Sequence, residues 1–220
     1  MKKGVGRMAA KAAQYFQKLR FCLYIIFNPF KGFWEMKREK RGSLVAANTI
    51  LALAVISFVA KTQYLGFIFN PTYFQSVDFT LEALKLLVPI GLWCVANYCL
   101  TTLMDGEGSF REIVMATGYA TTPIVLIYLP MTILSHFLTE NESAFVTLAN
   151  TVVILWVAFL LLAGMLEIHQ YTMLKTLVTT LLTIAGIAVM IFLGLLLVSL
   201  LDQMWSFVSD LYQEISLRLR

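Results

Sequence analysis

The sequence has few charged residues and few cysteines, and each shortage excludes a class of protein. Only 14% of its 220 residues are charged whereas 59% are hydrophobic, which excludes an ordinary soluble globular domain. The three cysteines lie inside apolar stretches and form no even, spaced set for a disulfide framework. Patterns for a metalloprotease, a serine hydrolase, a phosphate-binding loop and a Cys-x-x-Cys pair are also lacking. The sequence therefore predicts a membrane protein that is not an enzyme and has no metal or cofactor. The cysteines are Cys22, Cys94 and Cys99.

Long apolar stretches replace the missing polar segments. Each is long enough for an α-helix to cross a bilayer, which takes roughly 20 residues. The pattern predicts an all-α bundle of five membrane-spanning helices. Their predicted bounds are residues 44–61, 81–104, 110–138, 144–166 and 174–201.

Two prolines predict a break in the third span. Pro123 and Pro130 each lack the backbone N–H that a continuous helix requires. The freed carbonyls could line a cavity, but neighbouring hydroxyls such as those of Thr121 and Thr122 more often bond to them. We therefore expect a kinked helix in this span.

Charge is distributed unevenly and predicts the orientation. Residues 1–42 contain 11 basic and 2 acidic residues, whereas the remainder contains 6 basic and 11 acidic residues. Because basic residues favour the cytoplasmic side, we predict a cytoplasmic N-terminus and a C-terminus outside. The chain divides into a basic amphipathic segment at 1–42, a membrane domain at 43–201 and an amphipathic tail at 202–220.

The basic segment also has apolar surface. Tyr15, Leu19, Cys22 and Ile26 recur at helical spacing, and Asn28 with Pro29 ends the pattern. Such helices lie along the membrane interface, where basic residues attract anionic headgroups. The apolar surface argues against a nucleic-acid partner.

The hinge between the second and third spans concentrates acidic residues. With the predicted orientation, it lies on the inner face together with the end of the fourth span. Oxygen ligands suit a hard cation, and Gly106 and Gly108 would allow a tight turn that aims them inward. Alternatively, the acids solvate a tight loop, with Glu112 in the first turn of a helix. The candidate cation or partner site comprises Asp105, Glu107, Glu112, Glu167 and His169.

A second set of candidates consists of polar residues and a proline within the spans. Asn97, Thr101 and Thr102 fall on about one side of the second helix, and such side chains usually bond between helices. Tyr119 and Pro123 in the third span complete the set of predicted intramembrane contacts.

The residues around the hinge resemble the Yip domain family. The resemblance rests on WCVANYCLTTLMDGEGSF at 93–110 and ATGYATTP at 116–123, supported by Asn28-Pro29 and Glu167-Ile168-His169. It implies five spans, a cytoplasmic N-terminus and, in eukaryotic members, roles in vesicle traffic and contacts with Ypt/Rab GTPases. Those members carry a long polar arm before the first span. Its absence here places a small-GTPase partner in doubt and favours the bacterial branch, in the plasma membrane.

Two functions follow as hypotheses. In the first, the chain organises or assists partner membrane proteins or membrane traffic, contacting the bilayer and another membrane protein or a second copy of itself. In the second, it is a channel or transporter for an ion or small solute that uses the inner acidic cluster.

Overall fold

The computed structural model describes residues 2–70 and 78–218, and this part of the chain is helical without a β-strand. The all-α prediction is confirmed. The helices are α1 (Lys2–Phe27), α2 (Pro29–Arg38), α3 (Leu44–Tyr64), α4 (Phe79–Leu103), α5 (Phe110–Ala120), α6 (Thr122–Leu134), α7 (Ser143–His169) and α8 (Met173–Arg218). Short 3-10 turns lie at Phe67–Phe69 and Glu140–Glu142.

Five helical stretches are long and apolar enough to cross a membrane, as predicted. Most of their ends fall within a few residues of the predicted bounds, because length and apolar composition are local properties of the sequence. The exception is the fifth stretch, which continues well beyond residue 201. The stretches are Leu44–Tyr64, Phe79–Leu103, Phe110–Leu134, Glu140–His169 and Met173–Tyr212.

The third span is broken just before Pro123. Helix α5 ends at Ala120, and α6 begins at Thr122 with the proline in its first turn. Pro123 cannot donate to the carbonyl of Tyr119, and the hydroxyl of Thr122 donates to that carbonyl instead, at 2.5 Å. This is the arrangement predicted for Thr122. By contrast, α6 continues through Pro130.

The third span occupies the centre of the bundle. Of its most apolar window, 61% is buried, against 6% for α8. Close helix packing explains the small residues here: a Cβ on Gly118 would lie 2.9 Å from both Cβ and the carbonyl oxygen of Ala47 in α3. Small residues let two backbones approach in this way.

The N-terminal helices pack against the bundle. Phe21 and Ile25 of α1 and Phe33 of α2 are buried in the main apolar cluster, and the Tyr119 hydroxyl donates to the Lys18 carbonyl at 3.0 Å. The break between α1 and α2 falls at Asn28, as predicted. Part of the apolar face that predicted membrane binding is therefore used within the protein.

Helix α8 lies at the edge of the bundle and is unusually long. Its 46 residues extend about 69 Å at 1.5 Å per residue, roughly twice the apolar thickness of a bilayer. The predicted boundary between span and tail at 201/202 lies within this helix, without a break. The buried residues in its described part lie on one stripe that packs toward α4, namely Thr176, Thr179 and Thr183.

Candidate functional site

The hinge between α4 and α5 is a tight turn fixed by its own backbone. The N–H groups of Met104 and Gly106 both donate to the carbonyl of Thr101, at 3.2 and 2.8 Å. The left-handed residue of the turn is Asp105, with φ of +55°, and not one of its two glycines. Aspartate tolerates this conformation better than most side chains do. The tight turn was expected, but its glycines serve a different purpose.

That purpose is to make room for the end of α7. A Cβ on Gly106 would lie 2.7 Å from Nδ1 of His169 and 2.7 Å from the hydroxyl oxygen of Tyr171. A Cβ on Gly108 would lie 2.5 Å from Cγ2 of Ile168 and 2.6 Å from Cε1 of His169. Real side chains do not approach this closely, so both positions require glycine because of the neighbouring helix.

His169 is the buried centre of this end of the bundle. It is 2% exposed, and its Nε2 lies 3.1 Å from Oδ1 of Asn97 in α4. Because an amide oxygen only accepts, Nε2 donates, and Nδ1 is the acceptor nitrogen of the neutral ring. Nδ1 is buried and has no hydrogen-bond partner among the described residues. The His169–Asn97 pair thus joins α7 to α4 and leaves one ring nitrogen facing the hinge.

Tyr171 closes the site on its other side. Its ring stacks on His169, with the centroids 5.3 Å apart. Its hydroxyl donates to the Met104 carbonyl at 3.0 Å, and it lies 3.4 Å from the Thr101 carbonyl. Burial, and then the nearby Asp105 carboxylate, raise the pKa of the Tyr171 hydroxyl. The hydroxyl therefore remains protonated and able to donate to the hinge.

Lys37 connects α2 to the same end of the bundle. Its Nζ donates to the carbonyl of Ile168 at 2.6 Å and lies 3.2 Å from Oε2 of Glu107. A cation beside the last carbonyls of a helix is favourable, because these groups are unpaired and carry the negative end of the helix dipole. Lys37 therefore attaches the N-terminal segment to both α7 and the hinge.

The predicted acidic cluster lies at one end of the bundle, but its members have separate roles. Glu112 forms a capping box with Ser109 at the start of α5, and Glu107 pairs with Lys37. Asp105 is exposed and Glu167 is half-buried. Within the described residues, no three Asp, Glu, His or Cys side chains are grouped to hold a metal ion.

The predicted intramembrane residues also differ from one another. Asn97 bonds between helices, whereas the Thr101 hydroxyl donates to the carbonyl of Asn97 in its own helix, at 2.7 Å. Thr102 is exposed and likewise bonds within α4. Tyr119 connects the third span to α1. Asn97 and Tyr119 therefore join elements, while the two threonine hydroxyls do not.

Lys37 and Tyr171 belong to the site although sequence reasoning did not select them. Lys37 is one of many basic residues near the N-terminus, and nothing local distinguishes it. Tyr171 carried a weak signal, because it follows His169 by two residues in a short polar turn. A polar side chain that accompanies a buried histidine in a loop is a reasonable candidate to support it.

Replacing Lys37 with methionine is expected to destabilise the protein by about 1–2 kcal/mol, as measured by thermal unfolding in detergent. Methionine keeps an unbranched apolar stem but loses both bonds. Glu107→Gln is the matched control and should cost less than about 0.5 kcal/mol, since the Glu107 side chain is 59% exposed. Equal losses in the two variants would show that the ion pair, and not the helix cap, is the important contact.

The comparison with known families identifies the chain. The family model of the Yip1 domain matches residues 23–201, which is most of the chain. The chain belongs to the Yip1 family. Searches of curated proteins and of solved structures found no match.

The match agrees with the resemblance seen around the hinge and includes the whole site. It begins within α1 and ends within α8, so that α2, the first four apolar stretches and the fifth as far as residue 201 belong to the Yip1 domain. The protein is a multi-pass membrane protein of this family, and its apolar helices contact the lipid bilayer.

Proposed function

We propose that this Yip1-domain protein is non-enzymatic and organises or assists partner membrane proteins, with the hinge end of the bundle as the docking surface. The supporting observation is that some residues at the hinge make internal contacts while others are exposed to a partner. Tyr171 and Glu112 form hydrogen bonds at the turn and His169 lies against its glycines, whereas Asp105 and Arg111 are exposed beside it. A rigid turn that presents charges outward suits recognition better than chemistry.

Apolar side chains accompany these charges. Leu103 is 81% exposed at the end of α4, and Phe110 is exposed at the start of α5. Interfaces between proteins combine an apolar centre with a polar rim. The hinge end offers both, in a backbone that is already fixed and therefore loses little entropy on binding.

The experiment is co-purification from native membranes in mild detergent. The hinge variant combines Asp105→Asn with Arg111→Glu; asparagine is chosen because it tolerates the left-handed backbone at 105. We expect a partner to co-purify with the unmodified chain and its recovery to fall about five-fold in the variant, as for rim charges worth about 1 kcal/mol.

The matched control combines Glu140→Gln with Arg218→Glu, exposed positions outside the hinge. It should retain the partner. A chain recovered alone from native membranes, or equal losses in the control, would contradict the proposal.

A second candidate is passage of a cation or proton, and one observation favours it. Nδ1 of His169 is buried without a described partner, next to a turn that carries Asp105 and Glu107. Flux into liposomes that is lost in an Asp105→Ala/Glu107→Ala variant would support this candidate. Absence of flux from the unmodified protein would eliminate it.

A further inference from the structure

A wide groove lies between the two N-terminal helices, away from the hinge site. Its volume is about 1130 Å³, and both α1 and α2 line it together with the residues that follow α2. Five basic side chains line the groove, against two acidic ones, Glu35 and Glu39. The basic residues are Lys18, Arg20, Lys31, Lys40 and Arg41.

One of the two acidic residues pairs with one of the five basic ones, which leaves four basic residues against Glu39. Oε2 of Glu35 pairs with Arg41, and its Oε1 accepts from the Tyr24 hydroxyl at 3.2 Å. The guanidinium of Arg41 also lies over the ring of Phe21, 5.3 Å from its centroid. These contacts hold Arg41 in place with further N–H donors on its planar group. The groove is therefore a concave surface with a surplus of positive charge.

Exposed apolar side chains lie in the same groove. Leu23 and Phe27 line it, and Phe27 is 79% exposed. The nearby Phe30 packs edge-to-face on Phe159 of the membrane-spanning helix α7. The side chain of Phe159 is itself exposed. The groove is thus continuous with the lipid-facing surface of the bundle.

We propose that this groove binds the headgroup of an anionic phospholipid, with the phosphate among the basic side chains and the acyl chains beside Leu23 and Phe27. Basic charge alone would suit any polyanion. The exposed leucine and phenylalanine within the groove favour a ligand with both an anionic group and an apolar chain. A soluble anion or an acidic peptide has the anionic group without the apolar chain.

The test uses the full-length protein in a neutral detergent, titrated with short-chain phosphatidylglycerol or phosphatidylcholine and followed by native mass spectrometry. We expect phosphatidylglycerol to bind at least about ten-fold more tightly. The double variant Lys31→Gln/Lys40→Gln should weaken its binding about 10–30-fold, because each basic residue near an anionic headgroup contributes appreciably.

The matched control Lys85→Gln/Lys175→Gln removes the same charge outside the groove and should bind phosphatidylglycerol like the unmodified chain. Thermal unfolding like that of the unmodified chain, measured for both variants, would exclude loss of fold as the cause. Equal binding of the two lipids, an unaffected groove variant or an equally weakened control would overturn the proposal. Displacement of the lipid by glycerol 3-phosphate or by polyglutamate at equal concentration would also overturn it, in favour of a general anion site.

Discussion

Replacement of His169 by alanine is expected to lower the unfolding temperature in detergent by roughly 6–12 °C, or about 3 kcal/mol. The hydrogen bond to Asn97 accounts for only part of this, since such bonds between membrane helices average about 0.6 kcal/mol. Most of the loss comes from the cavity beside Tyr171 and from the Asn97 amide, which remains buried without its partner.

His136 provides the matched control, because it is the other of the two histidines and is exposed. His136→Ala should shift the unfolding temperature by no more than about 2 °C. A double-mutant cycle with Asn97→Ala separates the bond from the cavity and should give a coupling of about 0.6–1.7 kcal/mol. Equal shifts for the two histidines would contradict a central role for His169.

A single methyl group at Gly108 is expected to be as damaging as the loss of the histidine. The added Cβ of Gly108→Ala would overlap both Ile168 and His169, at 2.5 and 2.6 Å. Neither neighbour can withdraw easily, since both are buried and His169 is bonded to Asn97. Overpacking of this kind costs about 1–3 kcal/mol or more. We expect a loss near the upper end, measured by thermal unfolding and by the yield of folded protein.

Gly194→Ala is expected to have the opposite sign. Gly194 lies inside α8 with no atom within 4 Å of an added Cβ, and alanine in a helix interior is favoured over glycine by about 0.5–1 kcal/mol. The same substitution should therefore destabilise the protein at the hinge and stabilise it slightly in α8. A destabilised Gly194→Ala variant would show that some other contact covers this face of α8.

Local patterns in the sequence were sufficient to predict the spans and the break before Pro123. Span length, apolar composition and the missing N–H of proline act within a few residues of one another. For the same reason, the end of the first helix at Asn28 could be predicted from the Asn-Pro pair. The place of Glu112 in the first turn of a helix, which was one of two alternatives, is likewise local, and its capping box with Ser109 involves residues only three apart.

The sequence was sufficient to locate the candidate site but not to predict which of its residues contact one another. Asn97 and His169 are 72 residues apart, and Lys37 and Ile168 are 131 residues apart. No local pattern pairs such residues, because the pairing depends on how helices pack. The role of Gly108 was missed for the same reason: its limit is the side chain of another helix, and its own backbone is unstrained.

The threonine stripe of α8 determines how this helix is attached. The hydroxyls of Thr176, Thr179 and Thr183 all donate to carbonyls four residues earlier in the chain, and among the described residues they donate no hydrogen bond to α4. Contact with α4 is therefore maintained by side-chain packing, in which Gly186 faces Leu100 as well. A small change of angle there displaces the far end of α8 in proportion to its length.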